Sequence, residues 1–336
     1  MRTMACLGAV HRYLFLPVMY CLLPAVSLCE NEPVVSPPRP PQPTQEGRAA
    51  NGSPASPSIR VDTTLVQVNV TVTDPLNRFV TGIDKDRFQL FEDKVEQTIL
   101  GVSSEDAPLS VGVVFDTSAS MGAKLHKARE AVLRFLKDAN PEDEFFLMEF
   151  SDRPDFVLPF TRDPEVIQNR LAVTQSNGTT ALLDAVYLAM QGMKQAHNPR
   201  KAILIFSDGG DNNSRYTERD LRNAVREADV QIYGIGIFEP AESQSRTWEE
   251  FMGPSLLNSI AGLTGGRAYA VGDLNELLDV SARIGIELRN QYVLYYSPRN
   301  QARDGKFRHV RVKLNKPDRC PPLRVAFRLG YFAPGQ

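Results

Sequence analysis

Three apolar runs of strand length constrain the fold of this chain most strongly. They lie at residues 110–115, 202–206 and 230–236, and stretches such as residues 182–193 repeat apolar side chains at helical spacing. Strands that are apolar on both faces and alternate with helices are typical of a parallel sheet that helices cover on both sides. The pattern predicts an α/β fold, with a doubly wound and mostly parallel sheet, over residues 107–290.

Shorter strand-like patterns flank this region on both sides. They lie at residues 65–73, 79–82, 88–93 and 96–102 before it, and at residues 292–296, 306–314 and 323–329 after it. A segment of about 50 residues buries too little surface for a comfortable core of its own. We therefore expect residues 59–106 and 291–336 to combine into one small β-sandwich-like subdomain beside the α/β region.

The N-terminus has the composition of an export signal. Two arginines precede an apolar stretch at residues 13–28, in which Ala25 and Ser27 form a small-x-small cleavage pattern. Two prolines interrupt the stretch, which makes it short and broken for a membrane span. We expect a signal peptide at residues 1–28 and an exported protein that is secreted, periplasmic or associated with the cell envelope. An uncleaved N-terminal anchor is the alternative, and would be the chain's only membrane contact.

A proline-rich segment follows the signal. Residues 29–58 combine many prolines with Ser, Gln and Gly, a composition that cannot bury a core and predicts a disordered linker. Of the four cysteines, only Cys320 is certain to remain after cleavage, so the fold cannot depend on a disulfide framework. A bridge between Cys29 and Cys320 is possible if both remain, but nothing in the sequence supports it.

Charge and motifs exclude several functional classes. The formal net charge is −2, so the chain has no basic footprint for nucleic acid. The first apolar strand is followed by neither a dinucleotide-binding glycine motif nor a P-loop lysine. His126, His197 and His309 lack the paired spacing of a zinc site, and no histidine is placed to activate Ser118 as a nucleophile. We therefore expect that the protein is not an enzyme.

Oxygen-bearing side chains cluster in three segments next to predicted strand or helix ends. Asp116, Ser118 and Ser120 follow the first central strand, residues 177–180 precede a helix, and Asp208 follows the second central strand. Ligands of open α/β sheets collect at the carboxyl ends of the strands. Oxygen donors suit a hard cation such as Mg²⁺, which needs few protein ligands because it keeps several waters. The sequence therefore predicts a divalent-cation site at this edge.

Simpler interpretations exist for each segment. Asp116 with its serines could be a helix N-cap, and residues 208–211 could be a plain turn, but the three segments together favour the cation site. Asp211 is interpreted as a turn residue, with a secondary cation role as the alternative. Trp248 lies in the polar stretch 239–250, which we interpret as a loop; a contact with a partner is the alternative.

The three segments, in this order, resemble the metal-ion-dependent adhesion site of von Willebrand factor type A domains. The resemblance implies that Ser118 and Ser120 bind the cation directly and that Asp116 binds it directly or through water. It implies that Thr180 contributes its hydroxyl when a ligand is bound, and that Asp208 mainly orients waters around the cation.

The resemblance also implies a mechanism of binding. Thr180 is preferred to Thr179, because the family's threonine lies four residues before an acidic or small position, here Asp184. The expected cofactor is Mg²⁺, or Mn²⁺ or Ca²⁺ in its place. The expected partner is a protein ligand whose Asp or Glu carboxylate completes the coordination.

A narrower group also resembles this chain, from about residue 59 to residue 334. The bacterial, acidobacterial-type proteins related to the von Willebrand factor A domain are exported, and share a strand like residues 66–73 and C-terminal segments like residues 292–298 and 330–334. The expected function is cation-dependent binding of a protein outside the cytoplasm. The alternative is an accessory or assembly subunit of an envelope enzyme or transporter complex that uses the same site.

Overall fold

Strands and helices alternate through the middle of the chain, and strands predominate on either side. The computed structural model describes residues 65–104, 106–238, 248–315 and 322–335, with residues 248–250 described by their backbone alone. The strands are β1 (Val66–Thr73), β2 (Phe88–Glu92), β3 (Val95–Gln97), β4 (Ile99–Ser103), β5 (Leu109–Asp116), β6 (Glu144–Phe150), β7 (Pro154–Thr161), β8 (Arg200–Ser207), β9 (Gln231–Ile237), β10 (Ala268–Val271), β11 (Tyr292–Tyr296), β12 (Phe307–Leu314), β13 (Arg324–Phe327) and β14 (Gly330–Phe332). The α-helices are α1 (Leu125–Lys137), α2 (Pro164–Val173), α3 (Leu182–Gly192), α4 (Glu218–Glu227), α5 (Trp248–Leu263) and α6 (Leu277–Arg289).

A six-stranded sheet in the order β10-β9-β8-β5-β6-β7 forms the centre. Its neighbours pair in parallel, except that the edge strand β7 runs antiparallel to β6. Every residue of β5, β6 and β9 is buried, because α1, α2 and α6 pack on one face and α3, α4 and α5 on the other. The predicted doubly wound, mostly parallel sheet is confirmed.

Two four-stranded antiparallel sheets, β13-β1-β11-β4 and β14-β12-β2-β3, flank the central sheet. N-terminal and C-terminal strands are neighbours in both, since β1 pairs with β11 and β13 and β2 pairs with β12. Their apolar faces share one core that includes Val68, Leu90, Leu294 and Val312. The predicted β-sandwich-like subdomain of N- and C-terminal strands is confirmed, and the described residues all belong to one compact unit.

Several predicted strands have other limits. Residues 79–82 form no strand but a single bridge from Phe79 to Thr73, because a turn with Asn77 at φ 58° precedes them and Gly82 has φ 75°. The stretch 96–102 divides into β3 and β4, which belong to different sheets. Residues 323–329 give β13, and the chain then crosses to the other sheet as β14.

Two helices differ from the sequence prediction. Helix α2 was not predicted, since its amphipathic pattern is weak, although Asp163 caps it and Pro164 occupies its first turn, as in many helix starts. Helix α5 begins at Trp248, so residues 248–250 of the predicted loop are helical and the prediction was wrong there. The predicted signal peptide, the proline-rich linker, Cys320 and residues 239–247 lie outside the described residues. Among the described helices, none has the length and apolar character to cross a membrane.

Candidate metal centre

The carboxyl ends of β5 and β8 bring the two predicted aspartates to one place. The strands are parallel neighbours in which Phe115 pairs with Phe206, so Asp116 and Asp208 follow these residues at the same edge of the sheet. The chain leaves β5 and β8 towards opposite sides of the sheet, which makes this edge the topological switch point. Both side chains are almost completely buried.

Asp116 is the last residue of β5, and its carboxylate is held at both oxygens. Oδ1 accepts a hydrogen bond from the Ser118 backbone N–H at 2.8 Å, and Oδ2 accepts one from the Ser207 hydroxyl at 2.5 Å. Burial, with the neighbouring charge of Asp208, raises the pKa of Asp116 from 3.8 to about 7, although the hydrogen bonds from Ser118 and Ser207 oppose this shift. A positive charge beside Asp116 would therefore stabilise its ionised carboxylate.

Ser118 and Ser120 present their hydroxyls beside Asp116. Ser118 is buried and Ser120 is exposed, and their Oγ atoms lie 3.1 Å apart. A 3₁₀ turn, Ala119–Lys124, begins after Ser118, yet the Ser118 side chain makes no capping hydrogen bond to it. The simple capping role is therefore not observed, and these hydroxyls leave acceptor lone pairs for a cation.

The third predicted segment is held against this turn by the backbone. Ala119 donates to the Gly178 carbonyl at 3.0 Å, and Asn177 donates to the Thr117 carbonyl at 2.7 Å. Gly178 has φ 81°, a conformation that glycine adopts without steric cost. Residues 177–180 and 116–120 therefore meet, as the spacing predicted.

The two threonines of this segment differ in their surroundings. Thr179 is exposed, and its hydroxyl donates to Asp152 Oδ1 at 2.6 Å. Thr180 is 4% exposed, and its backbone N–H donates to Asn212 Oδ1, in the loop that follows Asp208. The Thr179 hydroxyl is thus already engaged at the surface, while Thr180 lies inside the loop cluster.

Asp208 makes one ion pair, which the sequence did not predict. Its Oδ2 lies 3.2 Å from Lys124 Nζ, and both side chains are buried. Its Oδ1 is buried and has no hydrogen-bond partner among the described residues. Lys124 directly precedes α1 and lies four residues before Ala128, which is on the buried side of that helix. A lysine at such a core-facing position was the feature of the sequence that could have indicated this ion pair.

Asp211 contributes to the loop and not to the cluster of oxygens. Its Oδ1 accepts hydrogen bonds from the Ser214 hydroxyl at 2.6 Å and from the Leu183 backbone N–H at 3.3 Å. It therefore satisfies a donor in the first turn of α3, consistent with the interpretation of Asp211 as a turn residue. Burial raises its pKa above the usual value of 3.8.

The donors at this edge fit a hard divalent cation. The unpartnered Asp208 oxygen is buried, and a buried acceptor without a donor is costly unless another group satisfies it. In the described part of the chain, no three His, Cys, Asp or Glu side chains gather as a metal cluster. A cation here would therefore depend on hydroxyls together with Asp116 and Asp208, a set that suits Mg²⁺ and leaves room for waters.

Residues 111–210 match the model of the von Willebrand factor type A domain family. The chain is 30% identical over 141 residues to inter-alpha-trypsin inhibitor heavy chain H4 of Homo sapiens, an alignment that covers 38% of this chain and 15% of that protein. It is 29% identical over 182 residues to the Sus scrofa protein of the same name, covering 48% of this chain and 19% of that protein. The chain thus matches only a small part of these relatives' length.

Two solved structures are similar to the fold. One is a von Willebrand factor type A protein from Catenulispora acidiphila, at 13% identity and a TM-score of 0.48, covering 82% of this chain and 74% of that chain. The other is the conserved hypothetical protein BatB from Bacteroides thetaiotaomicron, at 20% identity and a TM-score of 0.42, covering 53% of this chain and 98% of that chain.

Proposed function

We propose that this chain, in which residues 111–210 match the von Willebrand factor type A domain family, binds a protein partner through a divalent cation at the carboxyl edge of its central sheet. The residues that would hold the cation are Asp116, Ser118, Ser120, Thr180 and Asp208. The observation that carries the proposal is the buried Asp208 oxygen that has no hydrogen-bond partner in the described part of the chain, at the edge where Asp116 is also buried. Both carboxylates stand where a cation would offset the cost of their burial.

The roles of three of these residues follow from their surroundings. Ser118 and Ser120 offer two hydroxyl oxygens 3.1 Å apart, and Ser120 is exposed, so the partner can approach from solvent. The Ser118 N–H and the Ser207 hydroxyl fix the Asp116 carboxylate in place. Mg²⁺, or Mn²⁺ or Ca²⁺ in its place, would supply an open coordination position to an Asp or Glu carboxylate of the partner.

We propose binding without catalysis. A hydrolase would need a general base beside the cation; in this proposal Asp116 and Asp208 are taken up by the cation itself, and the histidines of the described residues make their contacts elsewhere. His126 pairs with Glu130 on α1, His197 bonds to Glu144 at the start of β6, and His309 lies on β12. We further propose that the protein is exported, because residues 1–28 have the composition of a signal peptide.

Isothermal titration with Mg²⁺ and Mn²⁺ tests the cation. The sharpest variant is Ser120→Ala, because the Ser120 side chain is exposed and, among the described residues, its hydroxyl contacts only that of Ser118. The matched control is Ser255→Ala, which removes an exposed serine from α5. We expect saturable heat for the wild type and the control, and affinity weakened about tenfold or more for Ser120→Ala. A wild type that gives no heat with either cation would refute the proposal.

Capture of the partner is a separate experiment. The protein is immobilised and exposed to an extract in Mg²⁺ or in EDTA, with Ser120→Ala alongside. We expect partners that are retained in Mg²⁺, released by EDTA and lost with the variant. Identical recovery in EDTA would mean that the cation does not mediate binding, even if the titration shows that it is present.

A further inference from the structure

Lys124 is buried within the candidate metal centre. It is the last residue of the 3₁₀ turn that begins after Ser118 and includes Ser120, and it is only 6% exposed. Lysine side chains are seldom buried this deeply unless they are paired, because removing the ammonium group from water is costly. The pair that offsets this cost is the contact of Lys124 Nζ with Asp208 Oδ2 at 3.2 Å.

Lys124 offsets part of the negative charge at this edge. Asp116 and Asp208 are two buried carboxyl groups close enough for the charge of one to act on the other. Among the described residues, no other lysine or arginine forms an ion pair with either of them. In the described part of the chain, Lys124 therefore supplies the positive side chain paired with a cluster whose formal charge would otherwise be −2.

The contact also gives the two carboxylate oxygens of Asp208 different surroundings. Lys124 donates a hydrogen bond to Oδ2, and Oδ1 has no hydrogen-bond partner within the ranges that the structure describes. An ammonium group held in this way orients the carboxylate and keeps one oxygen available. Because like charges repel, the same ammonium group opposes the approach of a second cation.

We propose that Lys124 is an internal counter-ion, a positioning residue that acts through Asp208. It keeps the metal-free site folded and lowers its affinity for divalent cations, so that the cation exchanges and is not held permanently. The second effect rests on the proposed function, whereas the first does not require that a cation binds.

The test compares Lys124→Met with Lys127→Met in two measurements. Lys127 lies three residues later, is about one-third exposed and pairs with Glu130, so its replacement removes the same charge outside the buried cluster. The first measurement is the melting temperature in EDTA. We expect Lys124→Met to lose about 6–15 °C, because it leaves a buried carboxylate without its partner, and Lys127→Met to lose about 2 °C or less.

The second measurement is the dissociation constant for Mg²⁺ by titration calorimetry. We expect Lys124→Met to bind Mg²⁺ about tenfold or more tightly than the wild type, because an opposing charge has been removed. Saturating Mg²⁺ should also restore most of its lost melting temperature. A buried ion pair with a purely structural role would lower the melting temperature and leave the Mg²⁺ affinity unchanged or weaker.

The outcomes separate the two proposals. If Lys124→Met and Lys127→Met have the same melting temperature in EDTA, the counter-ion proposal is overturned. If Lys124→Met binds Mg²⁺ no more tightly than the wild type, the proposed effect of Lys124 on the cation is overturned. If the wild type binds no cation and Lys124→Met is still destabilised, the proposed function fails and the counter-ion stands.

A double variant decides the case in which Lys124→Met does not fold. Lys124→Met combined with Asp208→Asn removes both charges, so no buried charge is left unpaired. We expect the double variant to fold in EDTA and to regain most of the lost melting temperature. Failure of the double variant to recover would overturn the proposal.

Discussion

Raising the pH should destabilise the metal-free protein through Asp116. Burial raises the pKa of this carboxyl from 3.8 to about 7, so the folded state binds the proton more tightly than the unfolded state does. The free energy of unfolding should therefore fall as the pH rises above 3.8 and level off above 7. The full difference corresponds to about 4 kcal/mol, of which about 2–3 kcal/mol is lost between pH 5 and pH 8.

The assay is urea denaturation in EDTA at pH 5 and pH 8, for the wild type and for Asp116→Asn. Asparagine has nearly the same shape and does not titrate, and the Ser207 hydroxyl can accept a hydrogen bond from its amide. Other titrating groups are common to both proteins, so the wild type should lose about 2–3 kcal/mol more than the variant over this range. Equal pH dependence of the two proteins would refute the assignment of the raised pKa to Asp116.

Three further substitutions, the first with a matched control, test the loop at the site, the cap of α4 and the core of the subdomain. Gly209→Ala should lower the free energy of unfolding by about 2–3 kcal/mol and weaken cation binding, because Gly209 has φ 78° and a Cβ there would lie 2.7 Å from Gly253 Cα. The control is Gly272→Ala, which has open space around it and should change the stability in urea little. Thr217→Ala removes the capping box of α4 and should cost about 1 kcal/mol in the same assay. Leu90→Ala, fully buried in the core of the antiparallel sheets, should cost about 2–5 kcal/mol, and a loss below about 1 kcal/mol would contradict its place there.

The sequence was most informative where one physical constraint dominated. A strand covered on both faces must be apolar throughout, so β5, β8 and β9 could be predicted from composition alone. The alternation of Val66–Thr73 predicted β1 because its residues alternate between the core and a partly exposed face at its start. Helix α2 was not predicted because its short apolar pattern is weak, although the capping residue Asp163 could be identified in the sequence.

Strand partners were harder to predict than strands. Residues 96–102 look like one strand, yet β3 pairs with β2 and β4 pairs with β11, 190 or so residues away. Pairing of this kind depends on which edges are free once the rest of the fold has formed. The local sequence does not indicate which edges these are.

The candidate site divides in the same way. The residue types and their order after predicted strands indicated Asp116, Ser118, Ser120 and Asp208, because parallel strands end at a common edge. Thr180 was selected from residues 177–180 by the family resemblance. The cation itself and the roles of these residues stay predictions that the titrations above would decide. The ion pair of Lys124 with Asp208 spans 84 residues, and only the packing of α1 against the sheet brings the lysine inside.

The sequence by itself determined the α/β class, the segments that carry oxygen donors and the edge where they meet, because each follows from local periodicity and the direction of parallel strands. Only the tertiary structure decided which threonine is buried, which oxygen of Asp208 lacks a donor among the described residues and which lysine pairs with Asp208. Those properties depend on distances between segments far apart in sequence, and solvation and charge interactions depend on such distances.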